Sequence, residues 1–314
     1  MKLKSILLLI PCLLLASCGQ ANNNGGTNND NNNGGDQGGD TGGNTDQGEA
    51  LEGYYSTINE NDSGATLLGK VRDLIVSTHT HYTDYDDNRG PNIDGKVDRT
   101  DYDPNNADNI LGFYSGISFS NDWDQADTWN REHVWPQSLS NGNWKKDNGG
   151  ADMHHIRPEI TSINGERSNR LFYEQKGQGK PFKYNGKVIA YEGEQIREGT
   201  WEPLDNRKGD CARIVFYMFT HYNNPTTLDR YDNLEDSCYS TANSKGSLRG
   251  LKFTHVVYAP NDKEALKMLM RWHELDPVDQ LEINRNNGVF GIQHNRNAFI
   301  DHPEFVEKIW GDIK

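Results

Sequence analysis

The sequence predicts one α+β domain, mainly helical, running from about residue 51 to residue 314. Three observations predict it. Apolar side chains recur at helical spacing over 63–78, 210–222 and 263–275. Between them, 110–114 and 131–135 read as extended, the second because Pro136 disfavours helix at the residue before it. After residue 50, no second linker and no repeat interrupts the pattern.

Ahead of the domain, Lys2 and Lys4 precede an apolar run from Ile6 to Leu15 that is too short to cross a bilayer and fits the core of an export signal. It ends in Leu15-Ala16-Ser17-Cys18, which resembles the lipobox of bacterial lipoproteins. Residues 1–18 are therefore expected to be a lipoprotein signal with Cys18 as the lipidated residue. Residues 19–50 are almost entirely Asn, Gly, Asp, Thr and Gln; they cannot bury enough apolar surface to offset their ordering entropy and read as a flexible tether. Together they imply an exported, lipid-anchored protein whose domain faces the periplasm or the cell exterior. Cys12 and Cys18 fall in the signal, which leaves Cys211 and Cys238 as a candidate disulfide in an oxidising compartment, with two separate thiols as the alternative.

The formal net charge is -14, and the domain stays acidic once the signal and tether are set aside. That balance weighs against a module that holds nucleic acid tightly by counterion release. It weighs less against an enzyme, in which a divalent cation and a few arginines neutralise one phosphate locally.

Taken in order, Leu68, Val71, Leu74 and Ile75 make one face of a helix behind Asp62 or Ser63 as N-cap. His79 and His81 follow it and have no partner cluster nearby in sequence. Residues 83–109, rich in Asp, Asn, Gly and Pro, read as a solvated loop; Asp84, Asp86, Asn88 and Gly90 lack calcium-loop spacing. A strand at 110–114 and a polar connection at 123–127 lead to the extended stretch at 131–135. A loop at 140–150 follows, and Pro158 is placed at the first turn of a helix that buries Ile160 and Ile163. Residues 176–190 read as a hairpin or loop. Core helices are expected at 210–222 (Ala212, Val215, Phe216, Phe219), at 263–275 (Leu266, Leu269, Met270), after Pro277, and at 303–310 behind an Asp301 cap.

Chemistry concentrates in three runs, REHVWPQS (131–138), ADMHHIRP (151–158) and INGERSN (163–169). Phosphodiester hydrolysis needs a deprotonated water in line with the leaving oxygen and a positive centre for the developing charge. A neutral imidazole, His133, suits the first task. Hard cations take oxygen ligands, which Glu132 and the side chain of Asn164 would supply. Neighbours on a strand point to opposite faces, so addressing one phosphate with Glu132 and His133 calls for an irregular backbone there.

These runs, with Thr83-Asp84, residues 208–213, Trp272 with Asp276-Pro277-Val278, and residues 293–299, resemble the bacterial endonuclease I family of periplasmic and extracellular nucleases with a ββα-metal (His-Me) finger. The resemblance implies that finger embedded in the domain, His133 as general base, Glu132 and Asn164 as metal ligands, and a divalent ion: magnesium, with manganese or calcium as alternatives. It also implies cleavage of DNA, and of RNA as a second substrate, with little sequence specificity and 5′-phosphate products, by a monomer. Arg131, Arg157 and Arg167 are the candidates for the scissile phosphate. Asp152 and His155 are candidates to support the site from behind, while the base itself is expected to be oriented by a backbone carbonyl. Two departures stand out: His154-His155 where the family has His-Asn, and Asn295-Arg296-Asn297-Ala298 where it has Asn-Arg-Asn-Pro. Two other classes are weighed. A zinc hydrolase would draw three ligands from His79, His81, His133, His154 and His155; a surface protein could bind nucleic acid without cleaving it.

Overall fold

Helix α1 (Gly64–Thr78) forms where the spacing predicts, burying Leu67, Leu68, Val71 and Ile75 along one face. Ser63 occupies the N-cap position, while Asp62 turns to the Lys70 ammonium at 2.6 Å. The computed structural model describes residues 51–313, apart from residues 52, 84, 86–96, 98, 141–147 and 224–250. The signal, the tether, Cys18, Asp84 and Cys238 lie outside the described residues; Cys211 is buried on a core helix.

Three sheets follow. Strands β1 (Tyr102–Asp103), β2 (Asn106–Leu111) and β3 (Ser118–Ser120) form an antiparallel meander. Strand β4 (Trp129–His133) pairs antiparallel with β5 (Ile156–Ile160), and helix α2 (Thr161–Arg167) leaves directly from β5. The third sheet has β6 (Leu171–Phe172), β7 (Lys180–Tyr184), β8 (Lys187–Gly193) and β9 (Thr200–Pro203) in the order β6-β9-β8-β7, with β6 parallel to β9. The hairpin expected at 176–190 is β7–β8. Its two-residue turn is Asn185-Gly186, both at positive φ, the chemistry that a tight hairpin prefers.

The core is built around helix α3 (Asp205–Tyr222), in which every residue from 208 to 222 is buried. Helices α4 (Asp262–Leu275) and α5 (Gln280–Gln293) start at Asn261 and Asp279, whose side chains accept from the amides of Glu264 and Glu282 at 2.9 Å. Short helices α6 (Ala298–Asp301) and α7 (Phe305–Trp310) close the chain. Phe216 of α3 lies 5.6 Å from Phe299 and 5.0 Å from Trp310, ring centre to centre.

Three expectations are corrected, and one is refined. The domain is α+β, and its helices hold more of the described residues than its nine strands do, though the sequence reading has fewer strands. Most of the extra strands are two to four residues long and leave no apolar periodicity; β2 starts inside the expected loop at 83–109 and overlaps the expected strand at 110–114 only at Ile110 and Leu111. Pro158 does not open a helix; it sits mid-strand in β5, opposite Arg131. Thr161 N–H bonds Thr128 O and Val134 N–H bonds His155 O. By alternation Pro158 falls in a pair that exchanges no hydrogen bonds, so its missing N–H costs the ladder nothing. The backbone is regular, not irregular, through Glu132 and His133, because the ladder continues unshifted to His133↔Ile156. Asp301 is not a cap for residues 303–310; its carboxylate is held by Arg296 at 2.6 and 2.8 Å and by Tyr55.

Candidate active site

Strand β4 distributes its side chains between two surroundings. On one side, Glu132 is buried and accepts a hydrogen bond from the Tyr114 hydroxyl at 2.8 Å, with Arg167 Nε at 3.4 Å from the same oxygen. Two residues earlier, the Asn130 side-chain oxygen accepts from the amide of Asn164. Asn164 and Arg167 are three apart on α2 and so share a helix face. The period of two along β4 and the period of three along α2 thus lay two rungs between strand and helix: Asn130 to Asn164, Glu132 to Arg167.

Arg131 and His133 have the other set of neighbours. The Arg131 guanidinium lies 4.1 Å over the Tyr85 ring and 5.0 Å from that of Trp123, and donates to the Tyr85 carbonyl at 2.5 Å. The Tyr85 ring is 5.2 Å from that of His133. His133 Nε2 lies 2.9 Å from Gly150 O. A carbonyl only accepts, so Nε2 carries the proton and Nδ1 keeps its lone pair. Burial, with His155 nearby, pushes the His133 pKa down to about 3, so the ring is neutral throughout the neutral range. An arriving phosphate would raise it, since a nearby anion favours the charged form.

The turn that orients His133 is itself held from below. His155 Nε2 donates to Gly149 O at 2.6 Å, so two consecutive carbonyls face two imidazoles whose rings are 5.2 Å apart. Asp152 is fully buried; its carboxylate accepts from Tyr217 at 2.7 Å, Tyr222 at 2.8 Å, Gln293 at 3.0 Å and the His154 amide at 2.8 Å. Burial alone would raise its pKa, but His79, His154, His221 and the Gln293 bond outweigh that and hold it well below the usual carboxylate range.

The three candidate arginines are placed very differently. Arg167 is fully buried, donating to Val134 O and Ser168 O at 2.9 Å each. Arg157 is tied to Asp101 at 2.7 Å and lies over the Phe113 ring. Arg131 alone shares its surroundings with His133. Of the histidines weighed as zinc ligands, His133, His154 and His155 turn to three separate carbonyls, those of Gly150, Asn295 and Gly149. The sequence reading missed Asn130, Tyr114, Tyr85 and the Gly149–Gly150 turn. Asn130 could have been found from the two-residue period of β4; the others carry no local signal.

Glu132 and Asn164 offer a carboxylate and an amide oxygen, since Asn164 spends its nitrogen on Asn130. That donor set fits a hard divalent cation. Burial pushes Glu132 up to about 7, against the pull of Arg167 and the Tyr114 hydroxyl, and such a carboxylate favours a cation over a lone charge.

Burial also holds His154 to about 3, and His155 and His221 to about 4. Unfolded imidazoles titrate near ~6.5. Between those values the unfolded chain binds more protons, so stability rises with pH there and falls on acidification below about 6.5. Glu132, raised to about 7, and Glu282, raised to about 8 by burial, act in the opposite sense, but the imidazoles of His133, His154, His155, His221 and His273 outnumber them. The melting temperature is therefore expected to fall on balance from pH 7 to pH 5, and a rise in calorimetry over that span would refute this.

Residues 68–304 match the model of the family described as Endonuclease I. An extracellular ribonuclease of Bacillus subtilis (strain 168) is 33% identical over 270 residues, covering 84% of this chain and 76% of its own length. An extracellular ribonuclease of Bacillus amyloliquefaciens is 38% identical over 184 residues, 58% of this chain and 54% of that protein. An extracellular deoxyribonuclease of Aeromonas hydrophila is 22% identical over 150 residues, 48% of each.

Proposed function

The chain belongs to the endonuclease I family and is a nuclease, and from that premise we propose that it is a divalent-metal-dependent endonuclease of low sequence specificity that hydrolyses DNA and RNA to 5′-phosphate products. The observation that carries this reading is the placement of Glu132 and His133 as the last two residues of β4, each in its own built environment. The antiparallel pair β4–β5 running straight into α2 supports reading these elements as a ββα-metal finger. Relatives named as ribonucleases and as a deoxyribonuclease support both substrates.

In this reading Glu132 and Asn164 hold the metal, magnesium in the first instance. When bound, it supplies positive charge to the phosphate oxygens and the leaving group. His133 Nδ1 takes a proton from water as the water oxygen bonds to phosphorus and the P–O3′ bond breaks; the 3′ oxygen leaves and the phosphate stays on the 5′ side. Gly150 O keeps the imidazole in the tautomer with Nδ1 unprotonated. Arg131, clamped between Tyr85 and Trp123, neutralises the phosphate from the His133 side. Arg157 and Arg167 position the frame, as do Asp152 and His155. The enzyme acts as a monomer, exported and tethered through Cys18; the names of its extracellular relatives support export, and no helix among the described residues is long and apolar enough to cross a membrane.

The test is cleavage of supercoiled plasmid and of a long RNA by the mature protein. Cleavage of both is expected with magnesium, loss on brief addition of chelator, and recovery with excess magnesium. Cleavage that survives chelation would overturn the metal role; binding without cleavage under every divalent ion would favour a non-catalytic surface protein.

A further inference from the structure

Away from Glu132 and Asn164, a second set of metal-ligating side chains converges in the core. His79 directly follows α1 as its C-cap, His221 lies in the last turn of α3, and Asp152 precedes β5. His79 Nδ1 is 3.0 Å from His221 Nε2 and 3.9 Å from Asp152 Oδ2, and one ligand atom from each residue lies within 4.8 Å of the others. We propose that these three side chains form a buried structural site for a zinc-class divalent ion, distinct from the catalytic metal.

The geometry and the donor types agree. A tetrahedral zinc bound at ~2.0–2.1 Å sets its ligand atoms roughly 3.3–3.4 Å apart, and the two measured edges fall either side of that. Two imidazole nitrogens with one carboxylate oxygen suit zinc and not magnesium, which prefers oxygen ligands and keeps several waters. The carboxylate is oriented as a ligand should be: the Tyr217 and Tyr222 hydroxyls fix Oδ2, and Gln293 with the His154 amide fixes Oδ1. No lysine or arginine among the described residues is ion-paired with Asp152, so its buried charge lacks a full counter-ion.

Without an ion the arrangement is half used. His79 Nδ1 and His221 Nε2, 3.0 Å apart, share one hydrogen bond, so one ring's lone pair is spent on the other ring's proton. An ion would use both inner lone pairs at once. Tyr82, more than half exposed, packs its ring 4.3 Å from that of His79, so the site lies one side chain below the surface.

The position gives the ion a task. Asp152 lies two residues beyond Gly150, whose carbonyl orients His133, and Thr83 Oγ1 bonds the carbonyl of Ala151 between them. Zinc here would clamp the ends of α1 and α3 to the turn that sets the catalytic tautomer.

The test is metal content by mass spectrometry and the visible spectrum of the cobalt-substituted mature protein. One equivalent of zinc is expected in the wild type and in the Glu132→Ala, Asn164→Ala double variant, with strong visible cobalt absorption of the tetrahedral type. His79→Gln and His221→Ala should lose both signals. Absence of a stoichiometric transition metal in the wild type, only weak octahedral-type cobalt absorption, or full retention in His79→Gln would each overturn the site. The wild-type measurement decides even where a variant fails to fold. Plasmid cleavage in magnesium reads the catalytic assignment separately: an active, zinc-free protein sinks this site alone, and an inactive, zinc-loaded one sinks only the nuclease mechanism.

Discussion

The His133→Ala protein is expected to cleave plasmid about 10²- to 10⁴-fold more slowly than the wild type, the range a positioned general base contributes, while remaining folded. His133 is only partly buried, and its one hydrogen bond is to Gly150 O. Removing the ring forfeits that bond, worth about 1 kcal/mol, and leaves no charge stranded. Circular dichroism should therefore superimpose on the wild type while the rate collapses. A folded His133→Ala protein cleaving at the wild-type rate would refute the assignment of the base. Asn or Gln at this position should not rescue it, because an amide cannot take up the proton from water.

Arg167→Met is expected to act in the opposite way, chiefly on stability. Arg167 is fully buried; its guanidinium donates to Val134 O and Ser168 O, stands 3.4 Å from the buried Glu132, and lies 4.9 Å from the centre of the Phe172 ring. Met fills much of the volume but leaves Glu132 without its cation and Val134 O without that donor. Breaking a buried pair in this way costs about 3–5 kcal/mol, or roughly 6–20 °C in melting temperature at ~2–4 °C per kcal/mol for a domain of this size. Thermal unfolding followed by circular dichroism measures it. A melting temperature within a degree of the wild type, with cleavage lost, would instead place Arg167 on the substrate phosphate and remove it from the frame.

The sequence by itself determined which helices make the core and which three runs carry the proposed chemistry. Glu132, His133 and Asn164 are proposed from the sequence because their residue types match the demands of phosphodiester hydrolysis and their runs resemble a family's. Helices α1 and α4 were legible because each buries one face at a period near 3.6, and α3, buried all round from 208 to 222, because its apolar residues recur at the same period; both signals are contained in a single segment. Strands β1 and β3, the first half of β2 and the mid-strand Pro158 were not, since a short strand is stabilised by its partner's backbone, and no partner is visible from within the segment. The same reason separates the arginines: three guanidiniums that look alike in sequence became a buried clamp at Arg167, an ion pair with Asp101 at Arg157 and a cation sharing the Tyr85 ring with His133 at Arg131. Only the tertiary structure could decide that, because burial and the nearest counter-charge come from residues tens of positions away. It also decided that His79 faces His221 and Asp152, a convergence of three remote segments that no spacing along the chain encodes.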